Sequence, residues 1–169
     1  PGHRYRSPSS IRTPMPAACA SHLRWSRRAP IRHPFRERYS QNRTLASMQL
    51  EAQAISRAEF HEREGFGGGA ISYLTLQDFA RFGAVKSDAE PVINALRSIA
   101  GVNVACMLRQ HEDCIRGSLR AKDDTDVSAI ARAFGGGGHV AAAGFTMHGS
   151  MQEAVDQVRA ALQEAVCAR

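Results

Sequence analysis

Phe134-Gly135-Gly136-Gly137-Gly138-His139-Val140-Ala141-Ala142-Ala143-Gly144 is the stretch whose reading decides the fold. Four consecutive glycines are followed by a histidine and a run of small residues that ends in a fifth glycine. Glycine has no Cβ, so such a run reaches positive φ and lets another molecule approach the backbone closely. Successive glycine N–H groups can point into one concavity, a nest that suits a phosphate oxygen. His139 stands at the lip of the loop and donates from a ring nitrogen whether charged or neutral. The spacing predicts that residues 140–143 begin a short helix whose N–H groups face the same spot. The competing reading is a flexible hinge with a surface histidine. The patterned apolar segments on both sides favour the anion-binding reading. No Lys-Ser or Lys-Thr follows the glycines, so the stretch is no P-loop. A helix-like segment precedes it rather than a strand, which argues against a dinucleotide fingerprint.

Working outward, Asp126 is the expected N-cap of the helix before the loop, with Val127, Ile130, Ala131 and Phe134 on its buried face. After the loop, residues 144–147 read as a strand. Ser150-Met151-Gln152-Glu153 has capping-box spacing and opens an amphipathic helix carrying Ala154, Val155, Val158, Ala161, Leu162 and Ala165. Upstream, residues 102–108 and 115–121 read as strands joined by a turn at His111-Glu112-Asp113. Ser87 to Glu90 suggests another capping box, ahead of a helix with Val92, Ile93, Leu96 and Ile99 inside, ending at Gly101. Residues 70–76 read as a strand, and residues 77–82 as a short helix closed by Gly83. Thr44 caps a helix expected to run to about Arg63, with Leu45, Met48, Ala52 and Ile55 at three–four spacing. This order predicts an α/β fold, one mixed β-sheet flanked by helices.

The charge is uneven. Residues 1–44 hold ten Arg, no Lys and one acid, Glu37, a net charge of +9. Residues 45–169 hold twelve basic and fifteen acidic residues, a net charge of −3. The basic pI of the chain therefore belongs to its N-terminal stretch, and the remainder is mildly acidic. Six of the seven prolines fall within residues 1–38, which read as a disordered Arg- and Pro-rich arm. Two origins stay open for that arm: a native nucleic-acid-binding tail, or an expression or reading-frame artefact, which the composition favours for residues 1–30. The expected organisation is this arm, a linker helix over residues 39–64, and a globular domain over residues 65–169. Cys19, Cys106, Cys114 and Cys167 form no C-x-x-C pair, so reduced thiols in a cytoplasmic protein are expected. No apolar run is long enough to cross a membrane.

Residues 102–145 resemble the DHHA1 domain, the C-terminal half of the DHH phosphoesterase superfamily. The likeness rests on Gly135-Gly136-Gly137-Gly138-His139 with Ala142-Ala143-Gly144, on Ser118-Leu119-Arg120, and on residues 126–131. The helix at residues 93–99 leading to Gly101-Val102 fits as well. The nearest branch degrades nanoRNA and dephosphorylates 3′-phosphoadenosine 5′-phosphate (pAp). The resemblance extends over about residues 40–166. It implies a domain that holds the phosphate of a short RNA, DNA or pAp ligand through Gly136, Gly137, Gly138, His139, Ser118 and Arg120. It also implies a DHH domain, in cis or in trans, that carries manganese and performs the hydrolysis.

The sequence departs from that superfamily where the chemistry lies. It has no Asp-His-His triplet, and its one D-x-D, Asp124-Thr125-Asp126, falls at a turn and helix cap. No catalytic or metal-ligating residue is therefore assigned, and the chain reads as the substrate-binding half, inactive alone. Aromatic Phe66, Tyr73 and Phe79 are candidates for base stacking, against a core role favoured by their periodic placement. Arg109 and Arg116 read as solvated residues flanking the hairpin. The rival functional readings are an inert remnant or protein-interaction scaffold, in which the 44–63 helix supports a homodimer, and a tRNA-binding domain of the alanyl-tRNA synthetase type.

Overall fold

The computed structural model describes residues 42–63 and 66–167. The expectation of a disordered arm over residues 1–38 lies outside the described residues. In chain order the elements are α1 (Leu45–Ser56), β1 (Glu59–Arg63), β2 (Phe66–Leu74), α2 (Leu76–Phe82), a 3-10 turn (Lys86–Ala89), α3 (Val92–Ser98), β3 (Val102–Gln110), β4 (Ile115–Ala121), α4 (Val127–Ala133), β5 (Gly137–His139), β6 (Ala142–Met147) and α5 (Met151–Cys167). The six strands form one mixed sheet in the order β1-β2-β3-β4-β6-β5. Only β2 and β3 pair in parallel, and the chain crosses between them through α2 and α3.

Strand alternation divides the core in two. Ile71, Val104, Cys106, Leu108, Leu119 and Phe145 point to one face, where α4 and α5 cover them with Val127, Ile130, Val155, Val158 and Leu162. Ala70, Leu74, Ala105 and Met107 point to the other face, under Leu50 and Ala54 of α1 and Val92 and Leu96 of α3. Helices α1 to α3 thus sit over β2 and β3, and α3 borders β4. Beyond that border the second face of β4, β6 and β5 carries no helix among the described residues.

Two expectations need correcting. Helix α1 stops at Ser56 rather than Arg63, because Glu59–Arg63 pairs antiparallel with β2 and satisfies the backbone groups of that edge. Arg159 of α5 forks onto Glu59 at 2.7 and 2.9 Å, holding the strand to the helix. Helix α1 is apolar on two sides and turns one of them inward. Ser47, Leu50 and Ala54 are buried, whereas Leu45, Met48 and Ile55 are exposed. Polar bonds decide this choice: Ser47 Oγ donates to the Asp88 carbonyl at 2.7 Å, and Ser72 Oγ donates to the Ala54 carbonyl at 2.6 Å. The capping box at residues 87–90 is absent as well. Asp88 instead accepts from Val85 N–H at 2.9 Å and Thr44 Oγ at 2.6 Å. Helix α3 opens after Pro91, which has no N–H of its own to satisfy and no side-chain acceptor to cap the first turn. Asp126 and the Ser150–Glu153 pair cap α4 and α5 as expected.

The junction between α1, β2 and α2 turns on Asp78. Its carboxylate accepts from Arg57 at 2.6 and 3.1 Å, from Thr75 N–H at 2.7 Å and from Thr75 Oγ at 2.8 Å. Burial alone would raise its pKa, but the bonds from Arg57 and Thr75 outweigh burial and hold it below the usual carboxylate value. A depressed folded-state pKa adds stability above the unfolded value and loses it as pH falls through the folded value. Asp78→Ala is expected to cost about 2–3 kcal/mol in urea unfolding at pH 7, because it strands a partly buried guanidinium. The difference between wild type and variant should shrink as pH drops below about 4, where the unfolded aspartate protonates.

Candidate functional site

Register assembles the site. On β4, residues 115, 117, 119 and 121 face the α4/α5 core, so Arg116, Ser118 and Arg120 face the bare side of the sheet. Arg109 of β3 lies opposite Arg116, and Ser118 opposite Met107. Across the other edge of β4, Ser118 pairs with Gly144, Arg120 with Ala142 and Arg116 with Thr146. Strand β5 then places Gly137 beside Gly144 and His139 beside Ala142. Two transverse rows follow: Met107, Ser118, Gly144, Gly137, and Ala105, Arg120, Ala142, His139. Neighbouring strands stand about 4.8 Å apart. His139 and Arg120 therefore share a face with one alanine between them, and small residues floor the space between the two side chains.

That floor is a trough with two joined cavities. One, of about 610 Å³, is bounded by Glu90, Pro91 and Asn94 on the helical side and by Arg109, Ser118 and Arg120 on the sheet. The second, of about 350 Å³, lies between Arg109, Arg116, Ser118, Gly136, Gly144 and Thr146. Arg109 and Ser118 line both. Burial lowers the pKa of Arg109. Glu90 opposes that shift, and the like charges of Arg116 and Arg120 add to it. The guanidinium remains charged at any physiological pH. Three arginines on one sheet face, with charges close enough to interact, form a local cationic field on a mildly acidic domain.

The glycine run has a different conformation from the expected one. Residues 140–143 do not open a helix. Gly137–His139 and Ala142–Met147 form a hairpin joined by Val140 and Ala141. The helix-terminus contribution to an anion site is thereby removed. Two glycines at this end of the molecule serve packing, and a third serves a turn. A Cβ at Gly136 would collide with the Gly144 carbonyl and Phe145, and one at Gly138 would stand 2.6 Å from the Ala142 carbonyl. Gly135 turns the chain out of α4 with φ +71°. Gly137 is under neither constraint: nothing lies within 4 Å of the position its Cβ would take, and its φ is not positive. Of the residues named from sequence, Ser118 and Arg120 line the trough, Gly136 touches its second cavity, and Gly137 and exposed His139 stand at its edge on the same face. Gly138 pairs with Ala143, whose side chain belongs to the opposite face.

Arg109 and Arg116 are the functional candidates that sequence reasoning assigned to solvent. The signal was present: Arg116, Ser118 and Arg120 alternate at period two, and a hairpin centred on residues 111–113 brings Arg109 opposite Arg116. Asp126 is confirmed as a cap, accepting from Ser128 N–H at 2.9 Å and Ala129 N–H at 3.2 Å. Tyr73 packs against the core and under Arg57 at 4.7 Å. The side chain of Phe66 lies outside the described residues. Among the described residues no three His, Cys, Asp or Glu side chains gather into a metal-holding group, and no chemical step is assigned to a metal. No described helix is long and apolar enough to cross a membrane.

The DHHA1 domain model matches residues 67–167. The chain belongs to the DHHA1 domain family. A Thermus thermophilus protein named bifunctional oligoribonuclease and PAP phosphatase NrnA is 30% identical over 125 residues, 73% of this chain and 36% of that protein. Its Bacillus subtilis namesake is 30% identical over 96 residues, 57% of this chain and 30% of that protein. A solved structure described as an exopolyphosphatase-related protein from Bacteroides fragilis superposes with a TM-score of 0.69 at 26% identity, over 78% of this chain and 38% of that one. The chain spans about a third of the length of the curated relatives it matches.

The adjacent Gly136 and Gly137 should respond differently to substitution. Gly136→Ala is expected to lower stability by about 2–3 kcal/mol, since backbone and the Phe145 Cβ must both move. Gly137→Ala should leave the thermal midpoint within a degree or two of wild type, because its Cβ enters open space. Equal effects of the two changes in thermal unfolding would contradict the hairpin geometry.

Proposed function

We propose that this DHHA1 domain is a phosphate-binding module for short single-stranded nucleic acid or pAp. The observation that carries the reading is the convergence of Arg109, Arg116, Ser118 and Arg120 on one bare sheet face floored by small residues. Phosphate is anionic and rich in acceptors, and guanidinium forks match it bidentately. Gly137 allows close approach at the edge, and His139 supplies a further ring donor from the neighbouring strand. The names of the curated relatives support the substrate class, since both are described as acting on oligoribonucleotides and PAP.

Hydrolysis belongs, in this proposal, to a DHH domain present in cis or in trans, together with its manganese. The residues described here bind and orient: Arg109, Arg116 and Arg120 neutralise phosphate, and Ser118 donates a hydrogen bond. The domain works in the cytoplasm, where Cys106 and Cys114 stay reduced. Residues 65–169 act as the binding domain, and residues 39–64, whose α1 and β1 pack into its core and sheet, lead from it to the catalytic one. One observation favours a second reading, an interaction scaffold or homodimer. Leu45, Met48 and Ile55 of α1 are 73%, 56% and 39% exposed, an apolar stripe along one helix.

The test is fluorescence anisotropy of a 5′-labelled short RNA without metal, with pAp as competitor. Arg120→Ala and Gly137→Leu should each weaken binding about tenfold, roughly 1.4 kcal/mol. The first removes charge and the second fills the approach to the trough. Arg120→Ala should also flatten the dependence of log Kd on log salt by nearly one ion. An RNA that wild type binds but pAp does not displace, or unchanged affinity in both variants, would contradict the proposal.

A further inference from the structure

Beside the trough lies a hollow of different character. Leu76 and Phe79 of α2, with Ala84 and Val85 after it, enclose about 300 Å³ against Arg109 and His111 at the end of β3. Leu76 is 41% exposed and Val85 61% exposed, so much of the wall is apolar surface held in water. The wall is fixed rather than loose. Leu76 N–H donates to Gln110 Oε1 at 3.2 Å, the Thr75–Asp78 capping box locks the first turn of α2, and Phe79 is packed against the core beneath. Arg109 is the shared boundary, lining this hollow and both cavities of the trough.

We infer that the hollow is a nucleobase subsite, taking the base of a nucleotide whose phosphate lies on Arg109 in the trough. This rests on the phosphate-binding reading above. A base is apolar on its two faces and polar at its rim, and the hollow repeats that division: Leu76, Phe79 and Val85 on the walls, His111 and Gln110 at the edge. A bare sugar phosphate would gain nothing from those walls. Burial lowers the pKa of His111, and Lys86, Arg116 and Arg109 push it the same way against Asp113. Its ring is therefore mainly neutral at pH 7 and offers one donor and one acceptor to a base edge. Phe79, read from sequence as core with base stacking as its alternative, lines the hollow while it packs inward.

Calorimetric titration of the full chain with AMP, ribose 5-phosphate and inorganic phosphate tests the assignment. AMP is expected to bind about tenfold more tightly than ribose 5-phosphate, a margin within the range of base–aromatic stacking. In Leu76→Ser/Val85→Ser the ratio should fall to about one, with folding checked by circular dichroism. Both positions are exposed, and Val85→Ser alone serves if the double variant unfolds. Equal binding of AMP and ribose 5-phosphate by wild type would overturn the subsite and leave the phosphate site standing. A tenfold ratio that survives in the folded variant would overturn its placement. Failure of all three probes to bind would overturn the phosphate reading and the subsite with it.

Discussion

Gly136 lies against the carbonyl of Gly144 and the Cα of Phe145 with no space for a side chain between them. That backbone-on-backbone contact fixes where the chain leaves α4 and begins β5. It sets the register Gly137 to Gly144 and His139 to Ala142, which puts His139 on the face that carries Arg120. The Phe145 ring is held over Gly117 on the opposite face and packs against Phe134 at 5.0 Å. The same hairpin thus anchors the core on one side and floors the trough on the other. A one-residue slip would exchange the two faces.

The second constraint is unequal helix cover. One face of the sheet is sealed by α4 and α5, and the other is covered only over β2 and β3. Elsewhere in a small domain a bare sheet face is a liability. Here arginine, serine, threonine and glycine occupy it, so it tolerates water and presents charge. The parallel β2–β3 pair produces this asymmetry, because its crossover must travel over one face and deposits α2 and α3 there. Glu90 and Asn94 at the edge of that cover form the far wall of the trough, and α2 forms the wall of the adjoining hollow.

Most of the fold was legible in the sequence because its signals were local. Caps at Thr44, Asp126 and Ser150, the closing Gly83, and the periodic cores of α3, α4 and α5 each state themselves within a few residues. The misreadings came where local signals were ambiguous and distant partners decided. Glu59–Arg63 carries no strand pattern of its own and is strand because β2 offers an edge. The run after His139 is rich in alanine, a strong helix former, but pairing with β4 and β5 on either side overrides that propensity. Ser118 and Arg120 came from family resemblance. Arg109 and Arg116 needed the hairpin register, which brings residues of two strands to one face.

The bare face of β4, β6 and β5 is the proposed place of phosphate binding. The most direct measurement is two-dimensional amide NMR of the isotopically labelled chain during titration with pAp. The account predicts shifts concentrated at Ser118, Arg120, Gly137 and Gly144, with Val155, Val158 and Leu162 of α5 unmoved. Shifts centred on α1 or α5, with Ser118 and Gly137 unmoved at saturation, would contradict it.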